Sequence, residues 1–350
     1  MNEAVAAALG AAFPERSVER LTDVGPSWNG ANETVGVVFA DGSRAFCKVA
    51  VDGDGTRIAR ELAVLRYVAA ERPVAVPAVL AGDPDADAPY LLTGPAPGRE
   101  LLDVWEELGD GTREEGDAER EALLRRVGAT LATLHAEPFE THGEIVGSDA
   151  RGGLALDRAP WPDVLIKTIE RTREIGTSER LAHHYDAVVD CVEANRDRLR
   201  DAPAALLHGD VAMPNLFVVD AGVGRDGRAG GGAGAGRDAG AEGDTGVAPI
   251  DWELSHVGDP ARDLVRAEDQ LLNGFDERGP ERYAAALRDG YRERAGGLPE
   301  GFAARRPIYE VVRMLGRSGF VDQWTTYLDE PMTDLVDRAE AELRTRLEAV

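Results

Sequence analysis

The chain has 350 residues, with 64 Asp and Glu against 39 Lys and Arg and a formal net charge of −25. So acidic a chain repels nucleic-acid phosphates, and no apolar run approaches the length of a membrane span, so neither partner is expected. Hydrophobic residues make up 43%, which sets the chain among globular proteins, and the length allows two lobes and a sizeable core.

Lys48 and Lys167 are the only lysines; Arg supplies the rest of the positive charge. An acidic, lysine-poor surface suits a halophile, where carboxylates hold hydration and counterions in concentrated salt. Cys47 and Cys191 form no disulfide framework. Residues 4–13 are apolar, but Glu3 precedes them and no basic segment does, so they read as a short helix and not a signal peptide. The cytoplasm is the expected compartment.

In chain order, residues 2–12 read as a helix and Val18–Thr22 as a first strand. The turn-rich loop from Gly25 to Thr34 includes Gly30 and Asn32, whose N–H groups and amides can face phosphates. Val35–Ala40 and Ala45–Val51 read as strands joined by an Asp41-Gly42 turn. Period two puts Phe46, Lys48 and Ala50 on one face, and a lysine in an apolar strand needs a partner. The next helix, Arg57 to Ala70, carries Ile58, Leu62 and Leu65 on one stripe, with Glu61 at its edge; Glu61 is the expected partner of Lys48.

Val74–Ala81 is extended and bounded by prolines, and Tyr90–Thr93 is a short buried strand broken by Gly94-Pro95-Ala96-Pro97-Gly98. Residues 98–108 lead into a helix and 118–135 form a long one, with His135 read as a buried structural histidine. Phe139–Pro160 reads as a glycine-rich loop. Trp161–Ile175 and Ser178–Leu199 read as helices. His183-His184 has no Cys or acidic neighbour at zinc spacing, so no metal site is expected there. Asp259–Asn273, Pro280–Arg294, Arg305–Tyr327 and Thr333–Val350 read as the remaining helices, with Asp259 as an N-cap before the first-turn Pro260.

The stretch that carries chemistry is Leu206-Leu207-His208-Gly209-Asp210-Val211-Ala212-Met213-Pro214-Asn215, then Ile250-Asp251-Trp252-Glu253 and Gly258-Asp259-Pro260-Ala261-Arg262-Asp263-Leu264. Asp210 and Asn215 have the Asp/Asn spacing of a kinase catalytic loop. Phosphoryl transfer asks for a carboxylate to orient the acceptor hydroxyl, oxygen ligands for magnesium and a cation on the phosphates. Asp210 fits the first role; Asn215 and Asp251 fit the second. Residues 221–246 hold eleven glycines and no following Gly-Lys-Ser/Thr. They read as a disordered insertion in a hairpin between Val219 and Val247 and not as a phosphate loop.

His208-Gly209-Asp210…Asn215 paired with Asp251-Trp252-Glu253…Gly258-Asp259-Pro260…Asp263-Leu264 resembles the aminoglycoside phosphotransferase family, the small-molecule branch of the protein-kinase-like fold that also holds the choline kinases. The resemblance implies an α+β, two-lobed chain, with a small antiparallel-sheet lobe (1–94) for the nucleotide and a larger, mainly helical lobe (95–350) for catalysis and the acceptor. It implies ATP, with GTP as the alternative nucleotide, and Mg2+ as cofactors, and an O-phosphotransferase acting on a small hydroxylated molecule. Lys48, oriented by Glu61, would meet the α/β-phosphates, backbone groups near Thr93 the adenine edge, and Asp263 would brace the catalytic loop. The acceptor wall would draw on Asp263, Arg266, Glu268, Asp269, Asp322, Trp324 and Tyr327, with no choice among them. Two rivals stand beside this reading: a nucleotide-binding module without transfer, and a protein Ser/Thr kinase. No Ala-Pro-Glu element follows Asp251, which disfavours the second. Oligomeric state is not readable.

Overall fold

The computed structural model describes residues 3–23, 32–109, 114–219 and 246–350. Its elements begin with α1 (Glu3–Ala12), β1 (Val18–Asp23), β2 (Asn32–Phe39), β3 (Arg44–Ala50), α2 (Thr56–Glu71), β4 (Val79–Asp83), β5 (Tyr90–Thr93), β6 (Arg99–Glu100), α3 (Leu101–Glu107) and α4 (Glu114–His135). They continue with β7 (Gly143–Ser148), β8 (Leu154–Arg158), α5 (Trp161–Ile175), α6 (His183–Ala194), α7 (Arg196–Arg200), β9 (Ala205–Leu207), β10 (Leu216–Val218), β11 (Val247–Pro249) and β12 (His256–Gly258). The last helices are α8 (Pro260–Leu272), α9 (Glu281–Ala295), α10 (Phe302–Arg313), α11 (Leu315–Ser318), α12 (Val321–Trp324) and α13 (Met332–Glu348). Internal contacts group the chain into two compact units: residues 1–126, 145–155 and 213–255, and residues 127–144, 156–212 and 256–350.

The first unit is built on an antiparallel sheet of order β1-β2-β3-β5-β4. Side-chain alternation sorts its faces. Val35, Val37, Ala45, Cys47 and Val49 bury with Val5, Ala8 and Leu9 of α1. The opposite face carries Phe46 and Lys48, and α2 packs against β3, β4 and β5 there. The β10–β11 hairpin pairs Val218 with Val247, the two ends between which the glycine-rich tract is inserted. Apart from Gly246, that tract lies outside the described residues, as does Gly30.

The second unit is mainly helical, around the strands β7, β12 and β9, in which His256 pairs with both Glu144 and Leu207. Trp161, fully buried at the start of α5, stacks on His256 with centroids 5.9 Å apart and donates its Nε1–H to Tyr309 Oη at 2.8 Å. Gly258 leaves room for that indole; a Cβ there would meet the Trp161 ring at contact distances no side chain tolerates. Asp259 caps α8 through Ala261 N–H at 3.0 Å and also accepts from Tyr309 Oη and Arg305 Nε, each at 2.5 Å.

Several elements depart from the sequence reading. β2 starts at Asn32, within the segment expected to be loop, because pairing with Ala50 extends the ladder. Residues 139–160, read as loop, contain β7 and β8; Gly147 and Gly152 take left-handed conformations in and beside the turn that joins them. The single helix expected over 178–199 is two, broken at Asn195, and that over 305–327 is three. Both cysteines are free and buried, and burial pushes the Cys47 thiol up to about 12. Among the described residues, no helix is long and apolar enough to cross a membrane.

Candidate active site

In the first unit, Lys48 is the hub. Its Nζ lies 2.6 Å from Glu61 Oε2, 2.6 Å from Asp251 Oδ1 and 3.4 Å from Glu253 Oε2. β3 presents Lys48 to the face that α2 covers, and Glu61, in the second turn of α2, meets it there. Burial works against the ammonium, but Asp251, Glu61 and Glu253 hold it charged, well above its ordinary range. The Glu61 carboxyl is pushed up to about 7: burial raises it most, Lys48 opposes that, and Asp251 and Glu253 add to it. Oxygens of Glu61, Asp251 and Glu253 all lie within 4.8 Å of one another, more negative charge than Lys48 alone balances. That donor set is hard oxygen, which suits Mg2+.

Asp251 has φ 62° and ψ 66°, and among the described residues no other non-glycine residue has positive φ. Strain of this kind persists where the surroundings fix it, and it clusters at functional sites. Here β11 ends at Pro249, and the left-handed step at Asp251 turns the chain into Trp252, which is fully buried and donates Nε1–H to Pro249 O at 3.1 Å. Asn215 lies across the same hairpin: its carbonyl accepts from Ile250 N–H at 2.9 Å, one residue from Asp251. Asn32, buried at the start of β2, donates its amide to Glu253 Oε2 at 2.6 Å. Thr93 pairs with Phe46, which puts its side chain on the Lys48 face of the sheet. The neighbouring Gly94 N–H is already given to Ala78 O at 2.8 Å, and Pro95 has none to give.

In the second unit, Asp210 follows β9 on a turn made possible by Gly209, whose φ is 83°. Its Oδ1 accepts from Arg266 Nη2 at 2.7 Å and Gln270 Nε2 at 2.8 Å. Burial opposes the charged form, yet Arg266 and Gln270 hold the carboxyl below its ordinary range. Asp263 is fully buried and accepts the His208 N–H at 2.7 Å and the Gly209 N–H at 2.9 Å, so it braces the loop that carries Asp210. His135 is buried as expected, its Nε2 3.4 Å from Asp263 Oδ2 and its Nδ1 3.2 Å from Tyr291 Oη.

With this geometry in hand, residues 26–227, more than half the chain, match the sequence profile of the phosphotransferase enzyme family. The chain belongs to the phosphotransferase enzyme family. It is a small-molecule kinase of the protein-kinase-like fold. Among solved structures, it is similar over 97% of its length to 98% of a protein assigned as a fructosamine-3-kinase from Thermobifida fusca, at 22% identity and a TM-score of 0.58. It is similar over 99% of its length to 97% of a protein assigned as an aminoglycoside phosphotransferase from Ralstonia eutropha, at 18% identity and a TM-score of 0.59. A third, the aminoglycoside phosphotransferase APH(2'')-Ib in its ADP-bound form, matches at 14% identity, 99% coverage of each chain and a TM-score of 0.55. Comparison with curated protein sequences returns no significant match.

Three residues of this phosphotransferase carry site contacts that the sequence reading did not assign. Glu253 stood in the quoted motif without a role, yet it binds Lys48, Asn32 and, at 3.1 Å, Arg57 Nη1. Arg266 is among the seven acceptor-wall candidates, and Gln270 is not among them. Asp263, Arg266 and Gln270 follow one another at helical spacings of three and four on α8, so their common face was readable.

Proposed function

We propose that this phosphotransferase moves the γ-phosphoryl group of ATP to a hydroxyl of a small molecule, with Mg2+ as the metal. The observation that carries this reading is the Lys48 ammonium held among Glu61, Asp251 and Glu253, a cation for phosphates beside hard-oxygen ligands for a metal. The ADP bound to the APH(2'')-Ib relative supports a nucleotide as donor.

In this reading residues 1–94 form the nucleotide lobe and 95–350 the catalytic and acceptor lobe. Lys48, oriented by Glu61, neutralises the phosphates. Asn215 and Asp251 hold the magnesium, which when bound offsets charge on the phosphate oxygens. Backbone groups near Thr93 meet the adenine; since Gly94 N–H is engaged, the donors lie elsewhere in the segment. Asn32 acts through Glu253, and Gly30 is assigned to the phosphates from sequence alone. Asp210 orients the acceptor hydroxyl and takes its proton as the oxygen bonds to phosphorus and the ADP oxygen leaves.

The test is a search for phosphorylated products. Intact protein and an Asp210→Ala variant are incubated in concentrated KCl with Mg-ATP and pooled metabolites, then read by mass spectrometry. A product made only by the intact protein is expected and names the acceptor. In a parallel incubation with lysate and Mg-ATP, phosphorylated peptides with no small-molecule product would overturn the acceptor class. Absence of any product, with no stabilisation by Mg-ATP, would overturn the assignment of Asp210, Asn215 and Asp251.

A further inference from the structure

The start of α6 and the middle of α13 bring together three side chains that the phosphotransferase reading does not use. His183 Nε2 lies 2.8 Å from Glu340 Oε1, and His184 Nε2 lies 3.4 Å from Glu340 Oε2. The two imidazoles meet edge to face with centroids 4.7 Å apart, and the three ligand atoms lie within 4.8 Å of one another. The His-His pair lacks an acidic neighbour in sequence; the fold supplies one from the last helix.

His184 supplies the second observation. It is fully buried, and its Nδ1 is fixed by Ser318 Oγ at 2.7 Å. Its Nε2 is buried and has no well-formed hydrogen bond, with Glu340 Oε2 the group it faces at 3.4 Å. In the tautomer that donates Nδ1–H to Ser318, Nε2 turns a lone pair toward a carboxylate oxygen, and two acceptors face each other. A buried polar atom left in this way needs a partner, and a cation between ring and carboxylate provides one. A ring nitrogen aimed by a hydrogen bond on the opposite nitrogen is also the usual arrangement of a metal-ligating histidine.

We propose that His183, His184 and Glu340 form a binding site for a zinc-class divalent cation, tying α13 to α6. Two imidazoles and one carboxylate are the donors of three-ligand zinc sites, with water in the fourth position. Imidazole nitrogen also argues against Mg2+ and Ca2+, which take oxygen ligands. Tetrahedral bonds of about 2.1 Å require ligand atoms about 3.4 Å apart. His184 stays fixed, while His183 and Glu340, with side chains 60% and 38% exposed, are free to adjust and leave an entry path. The positive end of the α6 dipole opposes a cation, but that effect is small beside three direct ligands.

The experiment uses the full chain, dialysed against chelator and titrated with Zn2+ and Co2+ in excess Mg2+, which fills oxygen-only sites. One equivalent of Zn2+ is expected to bind and raise the melting temperature, and Co2+ to give the visible absorption of a tetrahedral imidazole site. Ser318→Ala should weaken binding roughly 10–100-fold, as loss of an outer hydrogen bond does. Glu340→Gln and His183→Ala, at exposed positions, should abolish both signals and keep the Mg-ATP stabilisation of the intact chain, which shows that they are folded. Failure of the intact chain to bind one equivalent, or unchanged binding in folded Glu340→Gln, would overturn the site.

Discussion

Lys48 Nζ stands 2.6 Å from Asp251 Oδ1, and Asp251 reaches it from a left-handed backbone at φ 62°. The turn aims the carboxylate at the strand lysine and so joins the second half of the sequence motif to the sheet. Asp251 is also assigned to magnesium, so Lys48 and a metal must divide its carboxylate between them.

Asp251→Asn tests that division. Asn, like Asp, tolerates the left-handed region better than most side chains, so the change removes charge without adding much strain. The variant should fold with a melting temperature near that of the parent. It should lose the stabilisation by Mg-ATP, and phosphoryl transfer should fall at least about 100-fold, the scale on which removal of one preorganised electrostatic group acts. Thermal shift with and without Mg-ATP, and the turnover rate, are the readouts. Full activity in the variant would remove Asp251 from the chemistry.

Asp210 is held in its charged form by Arg266 and Gln270, below its ordinary range of about 3.9. A carboxylate so held is ionised at every pH where the protein works. Its part is then chiefly to orient the hydroxyl, and proton transfer comes late. The acid limb of kcat/KM should therefore lie below about pH 4. Arg266→Gln removes the nearer cation, raises the carboxyl and should move that limb to higher pH. Transfer to water serves as the assay until an acceptor is in hand. An acid limb that stays in place would mean that Asp210 is not the titrating group.

Asp269 is expected to be a stability residue rather than part of an acceptor wall. Its carboxylate accepts from Arg317 at 2.9 and 3.1 Å and from Arg313 at 3.1 Å, all in the interior of the second unit. Burial opposes its charge, but the Arg313 and Arg317 guanidinium groups hold the carboxyl well below its usual range. Asp269→Ala leaves those cations unpaired and should cost about 3–5 kcal/mol. Because the folded value is the depressed one, the stabilisation is full above the unfolded value of about 3.9 and is lost as pH falls below it. The melting temperature of the parent should drop through this window more steeply than that of Asp269→Asn.

The parts of the site legible in sequence were those whose chemistry imposes a spacing. His208 to Asn215 and Asp251 to Asp263 announce themselves because phosphoryl transfer needs those residue types in that order. Lys48 and Glu61 were legible because strand period and helix stripe independently turned both toward one face. β7 and β8 were hidden because Gly143, Gly147, Gly152 and Gly153 dilute the alternation that marks a strand. Breaks at Asn195 and near Met314 were hidden because apolar periodicity runs on through them, and local capping decides where a helix stops. The ion network around Asp269 and the approach of Glu340 to His184 join distant helices, and no local pattern encodes either.

The charge of −25 carries a prediction that does not depend on the site. Like charges crowded on a folded surface repel one another more than they do along an extended chain, so net charge far from zero destabilises the compact state. Salt weakens that repulsion: the Debye length shrinks from about 10 Å at 0.1 M to about 3 Å at 1 M. Buried pairs such as Arg317–Asp269 are shielded from solvent and lose little over the same range. The melting temperature should therefore rise as KCl increases across this interval, and most of the rise should come early, where screening changes fastest. A non-electrolyte at matched osmolality should not reproduce the effect. A melting temperature that falls with KCl would mean that exposed pairs such as Arg16–Asp41 and Lys167–Asp157 contribute more to stability than the surplus of carboxylates removes.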